Sequence, residues 1–90
     1  MNHSMTLSIR MFGAFRKYHQ GILAVDLPVG STAAKAKEAI AAALRQQNPA
    51  FGTSDLVEKS VLADNQRILA AEEKITGTTT LAILPPVCGG

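Results

Sequence analysis

The residues best placed to do chemistry are the final six, Pro85, Pro86, Val87, Cys88, Gly89 and Gly90. Read as the end of the chain, they present an α-carboxylate on a thin stem. Pro85 and Pro86 lack backbone N–H groups and hold φ near −65°, so they stop a preceding strand from continuing as sheet. They favour a polyproline-like exit of about 3.1 Å per residue, or roughly 19 Å over the six positions. Gly89 and Gly90 carry no side chains and fit a narrow channel. An α-carboxyl is ionised at neutral pH, with a pKa of about 3.3–3.7. An ionised carboxylate is a poor electrophile, so chemistry at Gly90 needs outside activation, such as adenylation. Cys88 reads most simply as a small tail residue. Trapping an activated Gly90 and forming a disulfide with a partner remain alternatives.

Other chemistries find little support. The 90 residues fit one small domain, and apolar residues make up 47 % of them, which suits a packed core. The single cysteine excludes an internal disulfide framework. The net charge is +2 and the basic residues are scattered, which argues against a nucleic-acid partner. No apolar stretch approaches a membrane span and no signal peptide opens the chain, so a cytoplasmic location with no membrane partner is expected. The sequence shows no phosphate-cradling glycine loop, metal-ligand cluster or nucleophile–base pair. His3 and His19 read as solvated, with no metal site expected.

The elements that must position the tail follow from periodicity. Leu7, Ile9 and Met11 alternate with Ser8, Arg10 and Phe12 in a first strand, after a loose lead-in over residues 1–5. The stretch 16–21 is polar and ends on glycine, as a hairpin connection does. Leu23, Val25 and Leu27 form a second strand, ended by Pro28 and Gly30. Ser31 or Thr32 can cap the helix that follows. Seven of the twelve residues from Ala33 to Leu44 are alanine, the best helix former. Ala36, Ile40, Ala43 and Leu44 make its apolar stripe. Asn48-Pro49 ends the helix. Residues 50–59 are ambiguous between turn and loop. Short strands are expected at Val61–Ala63 and Ile68–Leu69, with a turn at Asp64-Asn65. Glu72 to Thr76 reads as polar, Gly77 as a turn, and Thr79–Leu84 as the last strand. This order gives an α+β fold, one sheet crossed by one helix. The expected division is a domain over residues 1–84 and a flexible reactive tail over 85–90.

The element order and the ending resemble the MoaD/ThiS family of sulfur carriers, and within it the small subunits of molybdopterin synthases. The likeness rests on Leu84-Pro85-Pro86-Val87-Cys88-Gly89-Gly90, where the family shows an apolar strand, Pro-Pro-Val, a small residue and Gly-Gly. Met11-Phe12-Gly13-Ala14-Phe15-Arg16 is similar to the family's strand end, and Asn65-Gln66 is a weaker match. The sequence departs from the family at Cys88, at Thr78-Thr79-Thr80 and at Leu84, which is often aromatic there.

The resemblance implies a ubiquitin-like β-grasp fold, with a mixed sheet covered by one main helix. It implies that a partner resembling ubiquitin-activating enzymes uses ATP to adenylate Gly90, and that a sulfur donor then leaves a thiocarboxylate. No cofactor bound by this chain is implied. The further implied partner is the large catalytic subunit of molybdopterin synthase, in a heterotetramer, whose channel takes Pro85 to Gly89. The chain would then be a sulfur-carrying subunit, not a catalyst alone. In such a sheet the first and last strands are parallel neighbours, placing Phe12 near Leu84 at the tail's root. Phe12, Leu84 and Arg16 are therefore candidate partner-binding residues. Rival readings are a carrier for thiamin thiazole or another sulfur metabolite, a ubiquitin-like protein modifier, and a β-grasp binding module without chemistry.

Overall fold

The computed structural model describes residues 3–49 and 56–85. Strand β1, Ser4–Met11, alternates buried and outward-facing residues along its length. It starts within the stretch expected to be a loose lead-in. Met5 is the reason: it is only 2 % exposed and extends the inward row of Leu7, Ile9 and Met11. Strand β2, Ile22–Pro28, pairs antiparallel with β1, setting Leu7 opposite Val25 and Ile9 opposite Leu23. The connection contains a short 3-10 helix, Gly13–Lys17, which drops Phe15 fully into the core.

Helix α1 spans Ala33–Gln47 and stops at Asn48, where the Asn48-Pro49 pair is expected to end it. Thr32 caps it: the Lys35 N–H donates to Thr32 Oγ1 at 3.2 Å. At the far end the Asn48 N–H closes on the Leu44 carbonyl at 2.8 Å. Ala33, Ala36, Ile40, Ala41 and Leu44 are buried, whereas Ala43 of the expected stripe is only partly so. The alanines let the helix axis approach the sheet, while Ile40 and Leu44 supply the bulk. Burying such a side chain contributes about 1.5–3 kcal/mol.

After α1 come a short helix α2, Leu56–Lys59, and strands β3, Val61–Ala63, β4, Ile68–Leu69, and β5, Thr79–Leu84. The five-stranded sheet has the order β2-β1-β5-β3-β4. β5 is parallel to β1 and antiparallel to β3, so the sheet is mixed. One face carries α1 and the core.

The stretch from Ala70 to Ile75 is stitched to the start of α1 rather than left as a polar loop. The Ala33 N–H donates to the Glu73 carbonyl and the Ala34 N–H to the Ala71 carbonyl, each at 2.9 Å. Gly30 and Ile75 add a further pair: Gly30 N–H to the Ile75 carbonyl and Ile75 N–H to the Ser31 carbonyl, both 2.8 Å. These bonds satisfy N–H groups that a helix start leaves open. They also hold Ile75 in the core, which the polar residues around it conceal in the sequence. The preceding turn is held by Asp64, whose Oδ1 accepts from the N–H groups of Gln66 and Arg67 at 2.8 and 2.9 Å. Arg67 then forms a two-pronged ion pair with Glu73.

Two outcomes follow from this packing. Leu44→Ala should cost about 2–5 kcal/mol, because it removes fully buried bulk that neighbouring alanines cannot refill; chemical denaturation measures it. The second concerns acid. The Arg67 hydrogen bond holds the Glu73 carboxyl below its ordinary value, and backbone N–H groups from Gln66 and Arg67 do the same for Asp64. A lowered folded-state pKa contributes stability above the unfolded value, which is lost as pH falls through the folded value. Glu73→Gln should therefore be less stable than wild type at neutral pH. The gap should close as pH drops from about 5 to about 2, as measured by denaturant midpoints across that range.

Candidate functional site

The parallel pairing of β1 with β5 puts Ile83 opposite Met11. One step further along each strand stand Phe12 and Leu84, both half-buried at the end of the sheet. Phe12 keeps extended backbone, with φ −128° and ψ 155°, just before the 3-10 helix begins. The sequence-based expectation that Phe12 and Leu84 share the root of the tail therefore holds. Leu84 also pairs with Val61 of β3.

The sheet face away from α1 changes character from one side to the other. On β5, β3 and β4 it shows Ala82, Leu84, Val61, Ala63 and Ile68, with Val61 37 % and Ile68 57 % exposed. On β1 and β2 it shows Thr6, Ser8, Arg10, Ala24 and Asp26 together with the exposed Ile22 opposite Arg10, and the Thr6 hydroxyl donates to Asp26 Oδ1 at 2.7 Å. The apolar half adjoins the root of the tail. An apolar strip left in water beside a polar rim is the usual form of a partner-binding surface. Sequence reading placed β3 and β4 without assigning faces. The signal was the burial of Leu62 between two outward neighbours, visible only once its partner strands are known.

Arg10 stacks over Phe12, with its guanidinium carbon 5.3 Å from the ring centroid. That distance suits a cation–π contact. Arg10, Met11, Phe12, Arg16, Gly21 and Ile22 line a shallow pocket of about 270 Å³. Ile22, on its rim, is 58 % exposed. Among the described residues neither Arg10 nor Arg16 meets a carboxylate. Arg16 thus stands near Phe12, at the same end of the sheet, and the pocket sets two cations beside Met11, Phe12 and Ile22.

His19 differs from its expected solvated state. Its Nδ1 lies 2.8 Å from Gln47 Oε1 and its Nε2 3.2 Å from the Ile22 carbonyl oxygen. It therefore ties the β1–β2 connection to the last turn of α1. His3 is exposed. Among the described residues no three His, Cys, Asp or Glu side chains are grouped as metal ligands. No helix among the described residues is long and apolar enough to cross a membrane.

Pro85 is half-buried and lies against Gly13. The remaining expected tail residues, Pro86, Val87, Cys88, Gly89 and Gly90, lie outside the described residues. What the structure places is therefore the end of the sheet that precedes them.

No family model and no curated protein matches the sequence. Solved structures do match over almost the whole chain. SAMP1 from Haloferax volcanii superposes with a TM-score of 0.67 at 22 % identity, covering 94 % of this chain and 99 % of that one. Caldiarchaeum subterraneum ubiquitin gives 0.65 at 13 % identity, covering 98 % and 100 %. A Pyrococcus furiosus protein, described provisionally as molybdopterin converting factor subunit 1, gives 0.64 at 17 % identity, covering 92 % and 99 %. With its mixed five-stranded sheet, its single main helix and these neighbours, the chain has the ubiquitin-like β-grasp fold and is MoaD/ThiS-like in that fold.

Proposed function

We propose that this chain is a sulfur carrier that works through a thiocarboxylate on Gly90, as the small subunit of a molybdopterin synthase. The observation that carries the reading is the ending. A Pro-Pro-Val-Cys-Gly-Gly sequence follows directly on β5, at the sheet end where Phe12, Leu84 and Val61 form an apolar root. The β-grasp fold, with both a converting-factor-like protein and small modifiers among its neighbours, supports a carrier or modifier in general. The Pro-Pro-Val tail favours the carrier.

In this reading the Gly90 carboxylate attacks the α-phosphate of ATP on an activating enzyme, releasing pyrophosphate. Sulfide from a donor then attacks the acyl carbon, breaks its bond to AMP and leaves –COSH. The tail next enters the channel of a large catalytic subunit and gives its sulfur to the pterin precursor. Pro85 to Gly89 supply reach and thinness, and the domain supplies docking through Phe12, Leu84 and Arg16. Transfer to thiazole or to another sulfur metabolite would use the same tail.

The modifier reading has its own support, since SAMP1 and an archaeal ubiquitin share the fold. Gly90 would then be joined to lysines of other proteins, and isopeptide adducts would reveal it.

Incubation with an activating enzyme, ATP and a sulfur source should raise the intact mass by the difference between one sulfur and one oxygen. Fragmentation should confine the gain to Gly90. Removal of Gly90 should abolish the gain while circular dichroism stays unchanged; loading that persists without Gly90 would refute the assignment. Phe12→Asp should weaken binding to the large subunit or the activating enzyme by about tenfold or more, because it puts a charge into a desolvated contact. The fold should persist, since Phe12 is outside the core cluster. Equal affinities for wild type and variant, measured by calorimetry, would remove Phe12 from the interface.

A further inference from the structure

Gly13 stands out among the glycines with positive φ. Gly21 and Gly30, at φ +92° and +94°, face open space, and a Cβ built there meets nothing within 4 Å. At Gly13, φ is +56°, and a Cβ would fall 2.7 Å from Cγ of Pro85 and 3.5 Å from its Cδ. Carbon atoms do not approach that closely without displacement. The contact follows from register. Met11 pairs with Ile83, so Gly13 and Pro85 are the residues two steps beyond a parallel pair.

Neither side of the contact yields easily. Gly13 opens the 3-10 helix that seats Phe15 in the core, and the Phe15 N–H bonds to the Phe12 carbonyl at 3.2 Å. Pro85 Cγ belongs to a ring closed on its own backbone, so it does not swing away as a long side chain would. Upstream of Pro85, Leu84 is held by its pairing with Val61. A push on the ring therefore falls on Pro85 itself, the residue from which the tail departs.

We infer that Gly13 is a positioning residue: its missing side chain makes the seat for the Pro85 ring, and that seat sets the direction in which the tail leaves the domain. The direction stands on the geometry alone. Its consequence for turnover rests on the sulfur-carrier reading, in which a partner grips the sheet face and must receive Gly90 at a fixed place.

The test uses Gly13→Asn. Asparagine tolerates left-handed backbone but carries a Cβ, so it fills the seat without forcing the backbone out of its conformation. Cys88 is the only cysteine, so a nitroxide attached there reports the tail's course through the amide signals it broadens. Gly13→Asn should redistribute that broadening among the amides around the tail's root. In a Pro85→Ala background, which removes Cγ, adding Gly13→Asn should change the pattern little. An unchanged pattern in the single variant overturns the inference. So does an equal change in both backgrounds, which would mark backbone strain rather than the seat.

In the loading reaction with unlabelled protein, kcat should fall roughly tenfold or more. KM should change less than kcat, because Phe12, Leu84 and Arg16 keep their side chains. A rise in KM alone overturns the positioning role. If wild type itself is not loaded, the sulfur-carrier reading fails, and the nitroxide pattern still decides the direction of the tail. Should Gly13→Asn fail to fold, Gly13→Ala in the same two backgrounds gives the same decision.

Discussion

The parallel pairing of β1 with β5 is the constraint on which the rest of the molecule depends. It occupies the middle of the sheet order β2-β1-β5-β3-β4, so every other strand is placed relative to it. A parallel pair cannot be joined by a tight turn and needs a long crossover. Here the crossover from the first hairpin to β5 includes α1, which covers the face of the sheet it spans. Parallel strands also end on the same side. The residues after β1 and the residues after β5 are brought together whatever the sequence between them, and the tail begins in that meeting.

The helix start shows the same economy. α1 begins beside the segment that leads toward β5, and carbonyls of Ala71 and Glu73 take the N–H groups of Ala34 and Ala33. A free helix start is a natural place for an anion. In this chain backbone carbonyls and the Thr32 hydroxyl occupy it, so a phosphate finds no ready set of donors there. The fold has committed that polarity to closing its own crossover. This fits the proposed division of labour, in which the activating enzyme handles ATP.

Much of the fold was legible because its signals are local. The alternation Leu7-Ile9-Met11, the alanine-rich helix and the aliphatic run from Thr79 to Leu84 each point to one kind of element. The parallel neighbours and the meeting of Phe12 with Leu84 came from the family resemblance, not from periodicity. What escaped was burial decided by distant partners. Met5 looked like part of a frayed start, yet it pairs with Leu27 and closes the core. Phe15 sits beside Arg16 and Lys17, and only a 3-10 turn carries it inward. Ile75 lies among charged and polar residues and is drawn in by backbone bonds to the segment before α1. The apolar outer face of β3, β4 and β5 escaped for the same reason, since strands of two or three residues are too short for alternation to show which side is wet. The ending could be read in the sequence at once, but its geometric root, Gly13 against Pro85, could not. A glycine in a strand-end motif reveals nothing about what fills the space where its side chain would be.

On the sulfur-carrier reading, the sheet's outer face is where a catalytic partner would be held. The half formed by β5, β3 and β4 is mainly apolar, whereas the half formed by β1 and β2 is mostly polar, with Thr6 bonded to Asp26 and Ile22 exposed at its border. A partner that buries the apolar half gains affinity from it and is oriented by the polar half and by Arg10 and Arg16 at the border. Among the described residues the core's last member is Ile83, two residues before the Pro85 ring meets Gly13. A carrier must be loaded and discharged without altering its own stability, or each cycle would shift its folding equilibrium. On the sulfur-carrier reading, the seating of Pro85 against the bare backbone of Gly13 marks the border between the packed sheet and the segment proposed to react.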